Sequence, residues 1–301
     1  MRVLVTGASG LIGSAVAAAL EARGDTVVAL GRSSTPVSWN PAAGTISGSL
    51  EGIDAVVHLA GESIGKGRWN AAKKQRIVDS RVKGTKLLVR TVAALEHKPS
   101  VFVSSSAIGF YGNRGREELL DETSTPGDDF LADVCKQWEA AAQPITEAGI
   151  RLAVIRTGIV LTPSGGALKQ MLVPFKLGVG GKLGPGRQYM SWITLADEVR
   201  AILHIIDNAE VEGVVNLTAP HPVTNEVFTK ILAEVLHRPG KIPAPSFALK
   251  ALLGGELAEG LLLHGQRVFP KKLEATGFEF ESRSEERRVG KECRSRWSPY
   301  H

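Results

Sequence analysis

The sequence predicts an α/β fold, a doubly wound parallel sheet followed by a small, mostly helical C-terminal region. Short apolar runs that suit buried strands alternate with longer segments of helical periodicity. The first apolar run, Val3 to Val5, leads through a glycine-rich turn into an Ala-rich segment. A chain of 301 residues is long enough for one such domain and a smaller appendage.

The glycine-rich turn, Gly7-Ala-Ser-Gly10-Leu-Ile-Gly13, predicts a dinucleotide site. The free N–H groups at a helix N-terminus bind a pyrophosphate only where the backbone comes close, and a side chain at Gly7 or Gly10 would block that approach. Gly13 would let the helix lie close to the strand. An ordinary turn is the alternative, but a second apolar run, Thr26 to Leu30, completes a βαβ unit. The predicted cofactor contacts here are Thr6, Gly7, Gly10, Leu11, Ile12 and Gly13.

Cofactor choice is predicted from the residues after the second strand, Gly31-Arg32-Ser33-Ser34. An enzyme that prefers NAD usually places Asp or Glu here to bind the ribose 2′-hydroxyl, whereas Arg suits a 2′-phosphate. Arg32 and Ser33 therefore favour NADP(H) over NAD(H). The alternative is a solvated loop arginine.

The next elements continue the pattern. Residues 35–52 contain two prolines and three glycines and predict a loop. Asp54 to Gly61 predicts a third strand whose small terminal residues let a cofactor lie against the backbone. The expected contacts are Leu59, Ala60 and Gly61.

A long helix is predicted from Trp69 to Leu95, with a buried stripe made by Val78, Val82, Thr85, Val89 and Val92. Arg81 lies near that stripe and could reach the cofactor; a helix-surface salt bridge is the alternative. Val101 to Ser106 predicts a fourth strand that ends at the ligand-binding edge, where Ser104 is a further expected cofactor contact.

The second half of the chain predicts a surface loop at Asp121 to Asp129 that caps the next helix, and a strand from Arg151 to Ile159. Gly158 to Gly186 is glycine-rich and suits either a loop that wraps a ligand or a plain flexible loop. A helix at Asp197 to Ile206 and a strand at Gly213 to Leu217 follow. We expect a cofactor domain at 1–160 and 190–218, and a substrate-side loop and small domain at 161–189 and 219–282.

Composition limits the other function classes. The two cysteines, Cys135 and Cys293, argue against a disulfide framework and provide no metal-ligand cluster, so we predict no metal site. Met1 and Arg2 run directly into a strand, so no signal peptide is expected. No apolar stretch could span a bilayer. We predict a cytoplasmic protein with a small-molecule substrate, no nucleic-acid partner and no membrane insertion.

The last nineteen residues, 283–301, match one reading frame through a common sequencing adapter, and we interpret them as a scar. They hold six basic and three acidic residues, and so account for +3 of the chain's formal charge of +5. The alternative is a natural basic tail that binds anionic partners. The rest of the protein is nearly balanced in charge.

Several segments together are similar to the extended short-chain dehydrogenase/reductases, in particular to the 39U-type epimerase family. They are Thr6 to Gly13, His58 to Glu62, Ser80-Arg81, Ser104 to Gly112, Trp138-Glu139, Arg156 to Leu161, Gly180 to Gln188, Ser191 to Ile193, Asn216 to Pro220, Val223 to Asn225 and Gly265 to Val268. The resemblance covers residues 1–281. It implies a Rossmann domain, NADP(H) binding, a small C-terminal domain and a further helix after Glu281, where the tail stands instead.

One departure from the resemblance concerns catalysis. Extended short-chain dehydrogenases use Tyr-x-x-x-Lys to pass a proton while hydride moves to or from nicotinamide. Alignment on Glu139 places Leu131 and Cys135 at those positions. Cys135 is interpreted as a core thiol rather than a nucleophile. The resemblance leaves Ser106, which matches the family's catalytic Ser/Thr, and the nearby Tyr111 as catalytic candidates.

Two functions remain open at this stage. The first is an NADP(H)-dependent oxidoreductase or epimerase that acts on a small polar, sugar-like substrate with a non-standard proton donor. The second is a non-catalytic NADP(H)-binding sensor or scaffold linked to cell division. The glycine-rich segment favours the first function, and the missing Tyr-x-x-x-Lys favours the second.

Overall fold

The computed structural model describes residues 1–32, 37–114 and 118–282. The strands are β1 Arg2–Thr6, β2 Thr26–Gly31, β3 Val37–Asn40, β4 Thr45–Ser47, β5 Ala55–His58, β6 Val101–Ala107, β7 Leu119–Leu120, β8 Arg151–Thr157, β9 Ile159–Leu161, β10 Tyr189–Met190, β11 Trp192–Thr194, β12 Gly213–Leu217, β13 Val223–Thr224 and β14 Arg267–Val268.

The α-helices are α1 Leu11–Ala22, α2 Ala71–Ala93, α3 Phe130–Ala142, α4 Gly166–Lys176, α5 Leu195–Asp207, α6 Asn225–Leu236, α7 Ser246–Leu253, α8 Gly255–Ala258 and α9 Lys271–Ala275. Short 3₁₀ segments follow β6 (Ile108–Tyr111) and α3 (Gln143–Ala148), and a π-helix spans Glu259–Leu263.

The main sheet confirms the predicted doubly wound α/β fold. Its order in the described residues is β12-β8-β6-β5-β1-β2-β3-β4, and the strands run parallel except for the antiparallel β3–β4 pair. The chain moves outward from β1 through β2 and β3, then returns to place β5 on the other side of β1. The carboxyl ends of β1 and β5 therefore flank the point where the strand order reverses, which is where open α/β sheets bind ligands.

Helices cover both faces of this sheet. Val3, Val5 and Val103 point toward α1 and α5, whereas Leu4 and Phe102 point toward α2 and the 3₁₀ segment after α3. This alternation along each strand follows from the two-residue period of β structure. Within α2, Thr85, Val89 and Val92 are buried as predicted, but Val78 and Val82 are only half-buried.

The prediction of a loop over 35–52 is wrong, because β3 and β4 form a hairpin there. Val37 and Trp39 alternate into the core, and Trp39 packs against Gly84 of α2, where an added Cβ would lie 3.2 Å from the indole. Pro41 and the three glycines lie outside the paired residues. Tertiary burial of Trp39 thus overrides the local turn signals.

The C-terminal region has its own core. Leu168, Leu172 and Phe175 of α4 pack with Phe228 and Leu232 of α6. Helix α4 lies within 161–189, where the sequence predicted a loop, so that part of the prediction is corrected. In the described part of the chain, no helix is long and apolar enough to cross a membrane.

Candidate functional site

The turn between β1 and α1 is shaped by close backbone contacts. Gly7 has a φ of 72°, and a Cβ there would lie 3.0 Å from the carbonyl carbon of Leu59. A Cβ on Gly13 would lie 2.2 Å from the Gly7 oxygen, and one on Gly10 would lie 3.1 Å from it. No other residue type fits at Gly13 without moving the turn. The three glycines therefore fold the turn tightly against the end of β5.

The N-terminus of α1 is open to an anion. Its N-cap is Gly10, and no side chain among the described residues caps it. The first N–H groups of the helix, from Leu11 onward, therefore have no intrahelical acceptor and carry the positive end of the helix dipole. The Leu11 side chain lies against Gly165, and Ile12 packs on the core.

Thr6 joins the two strands that flank the crevice. Its Oγ1 accepts hydrogen bonds from the N–H groups of Leu59 and Ala60, at 3.1 Å each, so its own proton goes to His58 Nδ1 at 2.7 Å. His58 Nε2 therefore carries the ring proton and donates to Thr85 Oγ1 at 2.9 Å. Burial lowers the pKa of His58 to about 4, which keeps it neutral. This chain fixes the Leu59–Ala60 backbone beside Gly7.

Arg81 lies next to the end of β5. A Cβ on Gly61 would lie 3.2 Å from its Cζ, and its Nη1 donates to the carbonyl oxygens of Glu62 and Ile77. The guanidinium stacks over Trp138 at 4.9 Å, and burial lowers its pKa. Among the described residues, Arg81 thus donates to backbone carbonyl oxygens instead of forming a helix-surface salt bridge, and its guanidinium fills the space that a side chain at Gly61 would need.

The remaining predicted cofactor residues, Arg32, Ser33 and Ser104, do not lie in the β1–α1 turn or at the end of β5. Arg32 is exposed at the end of β2, on the side of β1 away from β5. Ser33 lies outside the described residues, as does the predicted scar at 283–301. Ser104 is fully buried opposite His58, and its hydroxyl has no hydrogen-bond partner among the described residues.

The two catalytic candidates belong to one buried polar network. Ser106 Oγ donates to Glu139 Oε1 at 2.6 Å, and Arg156 binds both oxygens of that carboxylate at 2.9 and 2.8 Å. Arg156 Nη1 also donates to Tyr111 Oη at 3.1 Å, and Tyr111 donates to Asn216 Oδ1 at 2.7 Å. Tyr111 is fully buried, and burial raises its pKa. In this arrangement both hydroxyl protons are already bound to acceptors within the protein.

Leu131 and Cys135, which alignment on Glu139 predicts to stand at the Tyr and Lys positions, lie one turn apart on α3. Cys135 is buried, its Sγ donates to Ala107 O at 3.7 Å, and burial raises the pKa of the thiol to about 11. A thiol with this pKa is not a nucleophile at neutral pH. Leu131 is half-buried and lies beside Gly109, just after β6.

The sequence analysis placed Glu139, Arg156 and His58 in segments that resemble the family, but it gave none of them a role in the site. Arg156 interrupts an otherwise apolar strand, which was the one local signal of a buried charge. The remaining partners are set by packing between distant elements. Among the described residues, no group of three or more His, Cys, Asp or Glu side chains is arranged to hold a metal ion.

The residues present fit a dinucleotide. The turn offers a cradle that a Cβ at Gly7, Gly10 or Gly13 would fill, and an uncapped helix N-terminus faces it. A pyrophosphate is the anion that such a turn accommodates at a topological switch point.

Comparison with known proteins gives matches over nearly the whole chain. Residues 3–218 match the NAD dependent epimerase/dehydratase family, and residues 244–284 match a domain of unknown function, DUF1731. The chain is 43% identical over 283 residues to Epimerase family protein Mb2239 of Mycobacterium bovis, which covers 92% of this chain and 93% of the relative.

Two solved structures are also similar. Human epimerase family protein SDR39U1 (isoform 2), solved with NADPH, superposes with a TM-score of 0.91 at 34% identity and covers 97% of this chain and 99% of that chain. The nucleoside-diphosphate sugar epimerase from Corynebacterium glutamicum gives a TM-score of 0.79 at 35% identity, over 97% of this chain and 58% of that one.

Proposed function

Because the chain belongs to the NAD dependent epimerase/dehydratase family, and within it to the extended short-chain dehydrogenases of the 39U type, we propose that it binds NADP(H) and acts on a small molecule. The observation that carries this proposal is the uncapped N-terminus of α1 behind the Gly7–Gly13 turn. The NADPH held by the human relative supports the choice of cofactor.

In this proposal the residues around the β1–α1 turn each contact one part of the cofactor or support a residue that does. The first amides of α1 bind the pyrophosphate, and the Leu59–Gly61 backbone, held by Thr6, supports the cofactor beside Gly7. Arg32, with Ser33, binds the 2′-phosphate, and Arg81 orients the segment after β5. The bound cofactor supplies or accepts hydride.

The test of cofactor choice is a titration of NADPH and NADH against wild type and Arg32→Ala. One charge-assisted contact to phosphate contributes about 1.5 to 3 kcal/mol, or roughly ten- to a hundredfold in affinity. We expect wild type to bind NADPH more tightly by that factor and Arg32→Ala to lose the preference. Arg238→Ala, an exposed arginine after α6, is the matched control. Equal affinities of wild type for the two cofactors would contradict the proposal.

A second candidate function is a non-catalytic NADP(H) sensor or scaffold. Leu131 and Cys135 favour it, because neither can pass a proton as Tyr and Lys do. The two functions are separated by measuring NADPH oxidation with carbonyl compounds and sugar nucleotides. The sugar-like substrate stays a prediction, supported by the name of the Corynebacterium relative. Turnover with any of them, unchanged in Cys135→Ser, supports an enzyme; tight binding without turnover supports a sensor.

A further inference from the structure

Most of the large apolar side chains that face solvent belong to the small C-terminal region. Nine such side chains are exposed among the described residues, and seven of the nine fall between positions 173 and 252. Leu177 and Phe247 are 73% and 76% exposed. A single exposed apolar side chain needs no explanation, whereas a group of them is typical of a binding surface. The grouping therefore indicates a binding surface on the small region.

Helix α4 presents a mixed apolar and basic face to solvent. Lys169, Val173, Lys176 and Leu177 follow one another at spacings of four, three and one residues, which places them on one side of a helix. All four are exposed. The buried residues of α4, such as Phe175, lie on a different side. The helix therefore covers the small core with one side and offers aliphatic and ammonium groups on the other.

Two neighbouring segments continue this face past the end of α4. A Cβ on Gly180 would lie 2.4 Å from the Phe175 ring, and one on Gly240 would lie 3.5 Å from the same ring. Both segments therefore pack against the last turn of α4. One residue further on, a Cβ on Gly181 would lie 2.0 Å from Ile242 O, so the two segments also contact each other.

Three exposed apolar side chains lie on these segments or directly after them. Val179 and Ile242 stand beside the close-packed glycines, and Phe247 lies in the first turn of α7. Ala244 N donates to Lys182 O at 2.9 Å, which keeps the two segments side by side as they approach α7. We call the surface formed by Val173, Leu177, Val179, Ile242 and Phe247 the apolar face.

The charge around the apolar face is mainly positive. Residues 161–189 contain four basic residues and no acidic residue, and residues 225–247 contain three basic and two acidic ones. Lys169, Lys176 and Lys241 are exposed and form no ion pair with another described residue, whereas Lys182 pairs with Glu226 at 3.5 Å. Positive charge therefore stands next to the apolar side chains and suits an anionic partner.

An anionic lipid surface fits both parts of this pattern. Its apolar interior accepts aliphatic and aromatic side chains, and its phosphates bind the ammonium groups of lysines at the level of the headgroups. A second copy of the chain would bring two positive faces together, which is unfavourable. Nucleic acid would bind the lysines through its phosphates but would leave the aliphatic side chains in water. The combination of charge and apolar content therefore favours a bilayer over these two partners.

We propose that the apolar face binds the surface of an anionic bilayer. In this arrangement its five side chains enter the boundary between headgroups and acyl chains, and Lys169, Lys176 and Lys241 contact lipid phosphates. Binding is peripheral and uses no residue of the cofactor turn. The inference therefore goes beyond the proposed function and is independent of it.

The experiment is sedimentation of the full chain with lipid vesicles at about 0.15 M salt. Vesicles of equal parts phosphatidylglycerol and phosphatidylcholine are compared with vesicles of phosphatidylcholine alone, and we expect binding to the first and not to the second. Lys176→Glu should weaken binding at least about fivefold, because one lysine near an anionic surface contributes about that factor. Leu177→Ser should weaken it about tenfold, because one large apolar side chain no longer enters the lipid.

The matched controls are Lys98→Glu and Leu119→Ser, which change exposed residues of the same types outside the small region. Both should leave vesicle binding unchanged. Thermal melting verifies that each variant is folded. Phe247→Ser is the second apolar variant, for use if Leu177→Ser does not fold, and it should show the same reduction.

Three results would overturn this inference. The first is that wild type does not bind anionic vesicles, or binds both kinds of vesicle equally. The second is vesicle binding that Lys176→Glu and Leu177→Ser leave unchanged, because another part of the chain, such as the basic residues 283–301, would then carry it. The third is binding to duplex DNA that Lys176→Glu weakens and Leu177→Ser does not, which would identify a nucleic-acid surface instead. NADPH titration of the same proteins tests the proposed function separately.

Discussion

At the residue scale, the close packing of the Gly7–Gly13 turn depends on the missing side chains of its glycines. Gly7 combines a left-handed backbone with close contact to the Leu59 carbonyl carbon, so a side chain there meets two independent penalties. Gly24, after α1, has a φ of 88°, but no atom of the described residues outside its immediate neighbours lies within 4 Å of the position that a Cβ would take. A substitution at Gly24 therefore tests the effect of the left-handed backbone alone, whereas one at Gly7 adds the steric clash with β5.

Gly7→Ala should weaken NADPH binding by at least about tenfold, because the turn must move away from β5. Gly24→Ala should cost about 1 kcal/mol of stability through its left-handed backbone and leave NADPH affinity unchanged. Isothermal titration and thermal melting of both variants measure this. Tight NADPH binding by Gly7→Ala would show that the turn is not the pyrophosphate site.

A second residue-scale feature is Glu198, which is fully buried in the first turn of α5. Its Oε1 accepts a hydrogen bond from Thr157 Oγ1 at 2.8 Å, and its Oε2 has no hydrogen-bond partner in the part of the chain that the structure describes. Burial raises its pKa to about 8 from the ordinary value of 4.5, so the carboxyl is neutral in the folded protein at pH 7.

Because Glu198 is buried, we expect the stability of the protein to decrease as pH rises. Between pH 4.5 and 8 the folded state keeps a proton that the unfolded state releases, so the free energy of unfolding decreases as pH rises. Below pH 4.5 Glu198 is protonated in both the folded and the unfolded state, so the free energy of unfolding no longer depends on its titration and is at its highest. Glu198→Gln, a mimic of the neutral acid, should be more stable than wild type at pH 8 by on the order of a few kcal/mol. Urea unfolding at pH 5 and 8 measures the free energy of unfolding, with the exposed Glu234→Gln as control. The same change in that free energy between the two pH values for wild type and Glu198→Gln would refute the prediction.

At the element scale, the Glu139–Arg156 pair ties α3 to β8. Arg156 is 3% exposed, and its guanidinium also lies 3.3 Å from the centroid of the Phe110 ring. The same pair holds Ser106 and Tyr111, so the ends of β6, β8 and α3 share one set of hydrogen bonds. A buried ion pair of this kind orders its neighbours, and removal of one partner leaves an uncompensated charge.

Glu139→Ala should therefore destabilise the protein by about 3 to 5 kcal/mol, whereas Ser106→Ala should cost only about 1 kcal/mol. Asp79→Ala breaks the more exposed Asp79–Lys83 pair on α2 and should cost less than about 1 kcal/mol. Equilibrium denaturation gives all three values. A cost for Glu139→Ala no larger than for Asp79→Ala would mean that the network does not stabilise this edge of the sheet.

At the scale of the whole molecule, the end of the described chain returns to the main sheet. Phe278 and Phe280 pack into the core shared by α1 and α5, and the N–H groups of Glu281 and Ser282 donate to the Asp197 carboxylate at 3.0 and 3.1 Å. The C-terminal segment is thus fastened to the helix that also buries Glu198. Residues from both ends of the described chain therefore pack in one core.

Asp197→Ala should loosen this segment and cost about 2 to 4 kcal/mol, because it removes charge-assisted hydrogen bonds to two backbone amides. Hydrogen exchange should accelerate at 278–282 and change little in β1 and β5. Glu279→Ala, an exposed change in the same segment, serves as the control. Unaltered protection at Glu281 and Ser282 would contradict the assignment.

The sequence by itself determined the α/β class, the order of most strands and helices, and the tight glycine turn between β1 and α1. These features depend on short-range spacing: glycines at fixed intervals and apolar residues at periods of two and three to four. Tertiary structure alone decided the environment of the catalytic candidates. Ser106 meets Glu139 across 33 positions, and Tyr111 meets Asn216 across 105, so no local pattern could pair them. Tertiary structure also decided the β3–β4 hairpin, because the Trp39 ring is buried by packing against Gly84 of α2, which is distant along the chain. Buried polar groups must find partners wherever packing brings them, and packing joins residues that are distant along the chain.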